Sequence, residues 1–244
     1  MDALAEVERQ QPREALMLPL ALSRPAGRPL RLLCLGAHAD DIEIGCGGTV
    51  LQLLATVPSV EVTWVVFSGN EARQTEARGA AARILEGAGR VDIRQLAFPD
   101  AYFPVPWGEI KGAFEQLKSV EPDLILTHRR EDRHQDHQVL ANLTWNTFRN
   151  HLVLEYEVPK YEGDLGQPNL YVPLSRAQAE RKVEILMEGF ASQRGHHWFD
   201  PQTFLGLMRL RGIECNAPEG YAEGFGADKI VARVQGHSQD KSPA

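Results

Sequence analysis

The sequence predicts an α/β fold: a Rossmann-like, mainly parallel sheet with helices on both faces and an elaborated C-terminal part. Three observations carry this. Residues 32–35 form a continuous apolar run bounded by Gly36, the length and make-up of a strand buried on both faces. Strand-like and helix-like patterns then alternate along the chain, as parallel βα units require. Two of the strands run straight into clusters of His and Asp, and ligands of open α/β sheets bind outside strand carboxyl ends.

The elements follow in order. Residues 1–29 are rich in Pro, Arg, Glu and Gln and read as an irregular arm, free to pack on the surface or on a neighbouring subunit. Its apolar patch at 15–22 is broken by Pro19 and preceded by acidic residues, a poor signal peptide and too short to span a bilayer. After the first strand, Gly45, Gly47 and Gly48 release the chain into a helix at 50–55. Residues 60–67 form a second strand, and 71–86 a helix with Ala72, Ala80, Ala81, Ile84 and Leu85 at helical spacing. A third strand is expected at 91–98, a helix at 107–120, and a strand entered by Pro122 at 121–127. Beyond the second cluster come a helix through Val139, Leu140 and Leu143, a strand at 152–159, an amphipathic helix at 177–190 and an edge strand at 229–234. The polar loop 160–169 reads equally as a pocket wall or an ordinary surface loop, and 235–244 as a flexible tail.

Composition bounds the function. A chain of 244 residues with 43% hydrophobic content can bury one large core, so 30–234 is expected to be a single domain. A net charge of -7 argues against a general nucleic-acid or anionic-membrane surface. Cys34, Cys46 and Cys215 form no close pair, and their odd number suits a reducing, cytoplasmic compartment.

The chemistry concentrates in two stretches. His38 and Asp41 offer a nitrogen and an oxygen ligand from one short turn, and a catalytic zinc takes three protein ligands plus an open position. The side chain of Asp40 points away from that of Asp41 and is left free to act as a general base. The alternative is that Asp40 and Asp41 cap the following helix while His38 is merely polar. The second stretch, His128 to His137, follows another strand; if both strands share one parallel sheet, His137 completes a His, Asp, His set. A solvated polar loop would account for its arginines but not for its three histidines.

Ala37-His38-Ala39-Asp40-Asp41, with Gly45 and Gly47-Gly48-Thr49 after it, resembles the signature of the LmbE/PIG-L family of zinc-dependent N-acetylglucosaminyl de-N-acetylases, and His134-Gln135-Asp136-His137 resembles that family's second motif. The similarity spans roughly residues 30–140; Ala39 and Gln135 stand where proline is usual, which touches loop stiffness and no ligand atom. The resemblance implies that His38, Asp41 and His137 hold Zn2+, or Fe2+ or another divalent metal, and that Asp40 is the base. It makes His134 the partner of the oxyanion, oriented by Asp136. It implies that Arg73, in an Arg-x-x-Glu with Glu76, reaches the substrate, that Asp100 binds sugar hydroxyls, and that Glu223 holds a neighbouring loop or a sugar hydroxyl. From the residues alone, Arg73 and Glu76 read as a surface ion pair. The expected partner is a small-molecule amino sugar, with no membrane span and with a homo-oligomeric state. A zinc amidohydrolase on a non-sugar amide is the nearest alternative, and a non-catalytic sugar-binding protein the alternative of another class. His196 and His197 beside Asp200 offer a weaker second metal site, and Arg194, Arg209 and Arg211 a place for an anionic group.

Overall fold

The computed structural model describes residues 19–21 and 27–232. Most of the arm expected at 1–29, the end of the strand expected at 229–234 and the tail at 235–244 lie outside them. The chain runs β1 (Leu30–Gly36), α1 (Asp41–Thr56), β2 (Val60–Ser68), α2 (Glu71–Ile84), β3 (Arg90–Phe98), α3 (Trp107–Leu117), β4 (Leu124–His128), α4 (Gln135–Thr147) and β5 (Leu152–Tyr156). It continues through β6 (Leu170–Leu174), α5 (Arg176–Gly189), α6 (Pro201–Glu214) and β7 (Tyr221–Gly226).

The strands form one seven-stranded sheet in the order β3-β2-β1-β4-β5-β7-β6. β1 to β5 are parallel, and β7 alone runs antiparallel to its neighbours β5 and β6. The connection from β1 leads outward to β2 and β3, and the chain then returns to β4 on β1's other side. That reversal opens a crevice between the carboxyl ends of β1 and β4, where doubly wound sheets bind ligands. The double burial read from β1 is present: Leu32 and Cys34 enter a core with α1, α2, α5 and α6, while Leu33 and Leu35 enter a second core with α3 and α4.

Several boundaries differ from expectation. No glycine loop precedes the first helix; α1 starts at Asp41 and passes through Gly45, Gly47 and Gly48. A glycine inside a helix costs roughly 0.5–1 kcal/mol relative to alanine. The reason for these glycines is space. A Cβ on Gly45 would overlap the Tyr156 ring, and one on Gly48 would lie 2.5 Å from Leu174 Cδ1 and 3.0 Å from Glu223 Oε1. The strand expected at 152–159 stops at Tyr156, and residues 229–232 are irregular rather than an edge strand. Lys229 instead reaches back to the Arg149 carbonyl, 2.6 Å away. β6, α6 and β7 complete the C-terminal elaboration.

Gly45→Ala is expected to destabilise the fold by about 1–3 kcal/mol through overpacking against Tyr156. Gly206→Ala, in α6 with nothing within 4 Å of the added carbon, should stabilise by roughly 0.5–1 kcal/mol. Urea unfolding of the two variants checks both signs; equal midpoints would refute the close-approach explanation of Gly45.

Candidate metal centre

β1 delivers residues 37–40 to the crevice as a tight turn, and β4 delivers 129–134. The first residues of α1 and α4 then place Asp41 and His137 side by side. His38 Nδ1 lies 3.3 Å from Asp41 Oδ2, His137 Nε2 lies 3.5 Å from the same oxygen, and the two ring nitrogens are 3.2 Å apart. Ligands about 2.0–2.1 Å from a tetrahedral zinc stand roughly 3.3–3.4 Å from one another. The triangle therefore has the size of one face of such a site.

The far side of each ring explains which nitrogen faces inward. His137 Nδ1 donates to Asp132 Oδ2 at 2.9 Å. His38 Nε2 lies 3.2 Å from Asp136 Oδ2 and 3.1 Å from Asp100 Oδ1. Carboxylates that take the outer N–H leave the inner lone pair for a cation, the usual support of a metal-ligating histidine. Burial opposes charge on His38, yet Asp41, Asp100 and Asp136 hold its pKa well above the ordinary value. Burial and the nearby His128 push His137 down to about 4. Burial would raise Asp41, but His137, His128 and His38 together hold it well below the usual carboxylate range.

His128 is fully buried and stacks on His137, ring centroids 3.8 Å apart. Its Nε2 comes within 3.2 Å of Asp41 Oδ2, but that nitrogen accepts the Ala37 N–H at 3.0 Å. His128 thus holds the Ala37–His38 turn; sets of metal-sized spacing here include His38, His134 and His137, and Asp41, His128 and His137.

Asp40 stands at the N-cap of α1 without making a side-chain capping hydrogen bond. Its Oδ1 accepts from Arg73 Nη2 at 2.7 Å, and its buried Oδ2 has no hydrogen-bond partner. Burial raises its pKa, Arg73 opposes the rise, and Asp41 adds to it. Asp41 does not cap either: its Oδ2 accepts the His38 N–H at 2.7 Å, closing the turn. His134 is the N-cap of α4; its Nδ1 accepts the Asp136 N–H at 3.3 Å, which leaves the proton on Nε2. Its ring centroid sits 4.9 Å from that of His38 and 4.7 Å from that of His137.

Other expected residues are placed differently. The carboxylate of Asp136 does not orient the His134 ring. It is fully buried, accepts the Phe103 and Ala101 N–H groups at 3.0 and 2.7 Å, and contacts His38. Arg73 is committed to Asp40. Glu76 does not pair with Arg73; it accepts from the Ser192 backbone and hydroxyl. Asp100 is 74% exposed at the mouth of the site, beside an open cleft of about 700 Å³ lined by Leu96, Phe98, Tyr102 and Val105.

Glu223 lies away from the cluster, at a small cavity of about 10 Å³ that Lys182 and Arg211 also line. Its oxygens accept from Gly48 and Thr49 N–H at 2.9 and 2.6 Å and from Lys182 Nζ at 2.6 Å, in a buried ion pair beside α1. Arg211 is bound to Glu157 and Glu214, Arg209 donates to the Gly220 carbonyl and Arg194 to the Met187 carbonyl. His196 and His197 join no metal-sized cluster among the described residues. Sequence reasoning left Asp132 and Lys160 unassigned. Asp132 holds both His137 and, through Oδ1, the His134 N–H at 2.8 Å.

Residues 33–148 match the family PIG-L: GlcNAc-PI de-N-acetylase. Over 156 residues the chain is 28% identical to YaiS, an uncharacterized deacetylase of Escherichia coli (strain K12), covering 59% of this chain and 82% of that protein. Among solved structures, the 4-carboxy-2-hydroxymuconate hydratase GalB of Pseudomonas putida KT2440 aligns with a TM-score of 0.68 at 15% identity, covering 84% of this chain and 99% of that one. The N,N'-diacetylchitobiose deacetylase of Pyrococcus horikoshii aligns at 0.63 and 19% identity, covering 81% and 83%. At these identities the solved structures establish a shared fold, one that carries a hydratase as well as deacetylases. The match to the PIG-L family spans both His/Asp motifs and the strands that present them, and the similarity of this chain to that family rests on those residues.

Proposed function

We propose that the chain is a metal-dependent hydrolase that removes the acetyl group from an N-acetylated amino sugar. The observation that carries this reading is the triangle of His38 Nδ1, Asp41 Oδ2 and His137 Nε2, 3.2–3.5 Å on a side, next to the unpartnered Oδ2 of Asp40. These three atoms would hold Zn2+, and Fe2+ fits the same nitrogen and oxygen set because such ligands discriminate weakly. A divalent cation there supplies Lewis-acid polarisation of an amide carbonyl and lowers the pKa of a water from 15.7 to about 7.

The chain's own groups do the rest. Asp40 Oδ2 accepts the proton of the attacking water, while Arg73 on Oδ1 keeps the carboxylate aimed and offsets the burial that disfavours its charge. His134 Nε2–H donates to the oxygen of the acetyl group as negative charge develops on it; a positioned donor of this kind is worth roughly 3 kcal/mol of barrier. Collapse expels the amine, which takes its proton from Asp40 or His134, and acetate is the second product. Asp100, exposed beside His38, accepts hydrogen bonds from sugar hydroxyls. The adjoining cleft leaves room for the rest of the conjugate. No helix among the described residues is long and apolar enough to cross a membrane.

Metal content of the purified chain and acetate release from N-acetylglucosamine conjugates, before and after chelation, test the reading directly. Near-stoichiometric metal and release that chelation abolishes and Zn2+ restores are expected; release that survives complete metal removal would overturn it. Asp40→Asn should retain metal and lower kcat by about 100-fold or more, the lower bound for losing a general base; near-normal turnover would remove Asp40 from that role. His137→Ala should bind metal weakly, and unchanged metal content in that variant would break the ligand assignment.

A further inference from the structure

A single lysine fastens the loop 160–169 to the candidate metal centre. Lys160 Nζ lies 2.9 Å from Asp132 Oδ2, the oxygen that also accepts His137 Nδ1–H. The same ammonium lies 2.7 and 2.8 Å from the two oxygens of Asp164. The three side chains are 12%, 6% and 4% exposed, so one cation stands between two carboxylates largely out of water. Asp164 in turn accepts the Arg133 N–H at 2.6 Å, and its carbonyl accepts from Arg129 Nη1 at 3.2 Å. Two loops are therefore cross-tied, one carrying the His137 support and the other distant in sequence.

The electrostatics make Lys160 indispensable to this arrangement. Without it, Asp132 and Asp164 would be two buried carboxylates with no cation between them, and an unpaired buried charge moves, hydrates or takes a proton. Any of these changes the hold of Asp132 on His137. The outer partner of a metal-ligating histidine fixes its tautomer and direction, and losing it typically lowers metal affinity 10- to 100-fold.

We propose that Lys160 is a positioning residue for the metal centre, linking the order of loop 160–169 to cation affinity so that each favours the other. The proposal rests on the metal-binding reading above. Coupling of this kind is reciprocal: a cation that draws His137 inward tightens the loop, and a loose loop weakens the cation. It gives Asp164, which contacts none of the three ligands, an effect on metal binding through Lys160.

The test is a Co2+ titration followed by visible absorption, with a competing chelator, on the wild-type chain and on Lys160→Met, Lys160→Arg and Asp164→Asn. Amide hydrogen exchange over 160–169 is recorded with and without Co2+. Lys160→Met should weaken Co2+ binding about 10- to 100-fold, Asp164→Asn should weaken it less, and Lys160→Arg should recover part of the loss. Exchange over the loop should slow on Co2+ binding in the wild type and not in Lys160→Met. A Lys160→Met protein that melts earlier without metal but binds Co2+ within twofold of wild type would reduce Lys160 to a loop staple and overturn the proposal. If Lys160→Met does not fold, Asp164→Asn decides in the same way. A wild-type chain that binds no Co2+ overturns the metal reading and this proposal together, whereas normal wild-type binding with unchanged variants overturns the coupling alone.

Discussion

Two imidazole nitrogens and a carboxylate oxygen converge at 3.2–3.5 Å, and much of the chain's layout can be understood as the support of that convergence. Lone pairs brought so close repel unless a proton or a cation lies among them. The outer N–H groups are therefore held by buried carboxylates, Asp136 for His38 and Asp132 for His137. Asp136 is held by backbone N–H groups of the 101–103 turn, and Asp132 by Lys160 and the His134 N–H. Charge is balanced outward in layers, each borne by a different segment.

The sheet supplies the position. Strand order reverses at β1 and β4, so the turn after each strand opens into one crevice. α1 must leave that crevice at once, because Asp41 is both a candidate ligand and its first residue. The helix then lies so close to β5 and β6 that it has no room for side chains at Gly45 and Gly48. Glu223 and Lys182 fill the remaining polar gap beside it, an ion pair whose loss on one side would leave a buried charge. Glu223 thus serves the seating of α1.

The pairing of Arg73 with Asp40 joins two roles that are easily separated on paper. A buried carboxylate stays ionised more readily beside a positive charge, and here that charge leaves one oxygen free. Arg73 takes Oδ1 and leaves Oδ2 unpartnered. The same economy appears at His134, whose Nδ1 caps α4 and so directs its proton to the opposite nitrogen.

Much of this was legible in one dimension. The βα alternation from β1 to α4 could be read because parallel strands are buried on both faces and their helices on one, which leaves strong hydrophobic patterns. That His38, Asp40, Asp41 and His137 gather at one rim could be read because each lies a few residues past a strand's carboxyl end. The later elements were hidden for local reasons: Pro173 interrupts β6, two glycines dilute β7, and Leu210 and Ile213 face outward on α6, blurring its pattern. By itself, then, the sequence determined the fold class, the two strand-end clusters and the residue types able to hold a cation. Only tertiary structure decided what each carboxylate faces. Asp136 meets His38, Glu223 meets Lys182, and Asp132 joins His137 to Lys160, because hydrogen-bond partners far apart along the chain are chosen by packing, and no local pattern encodes them.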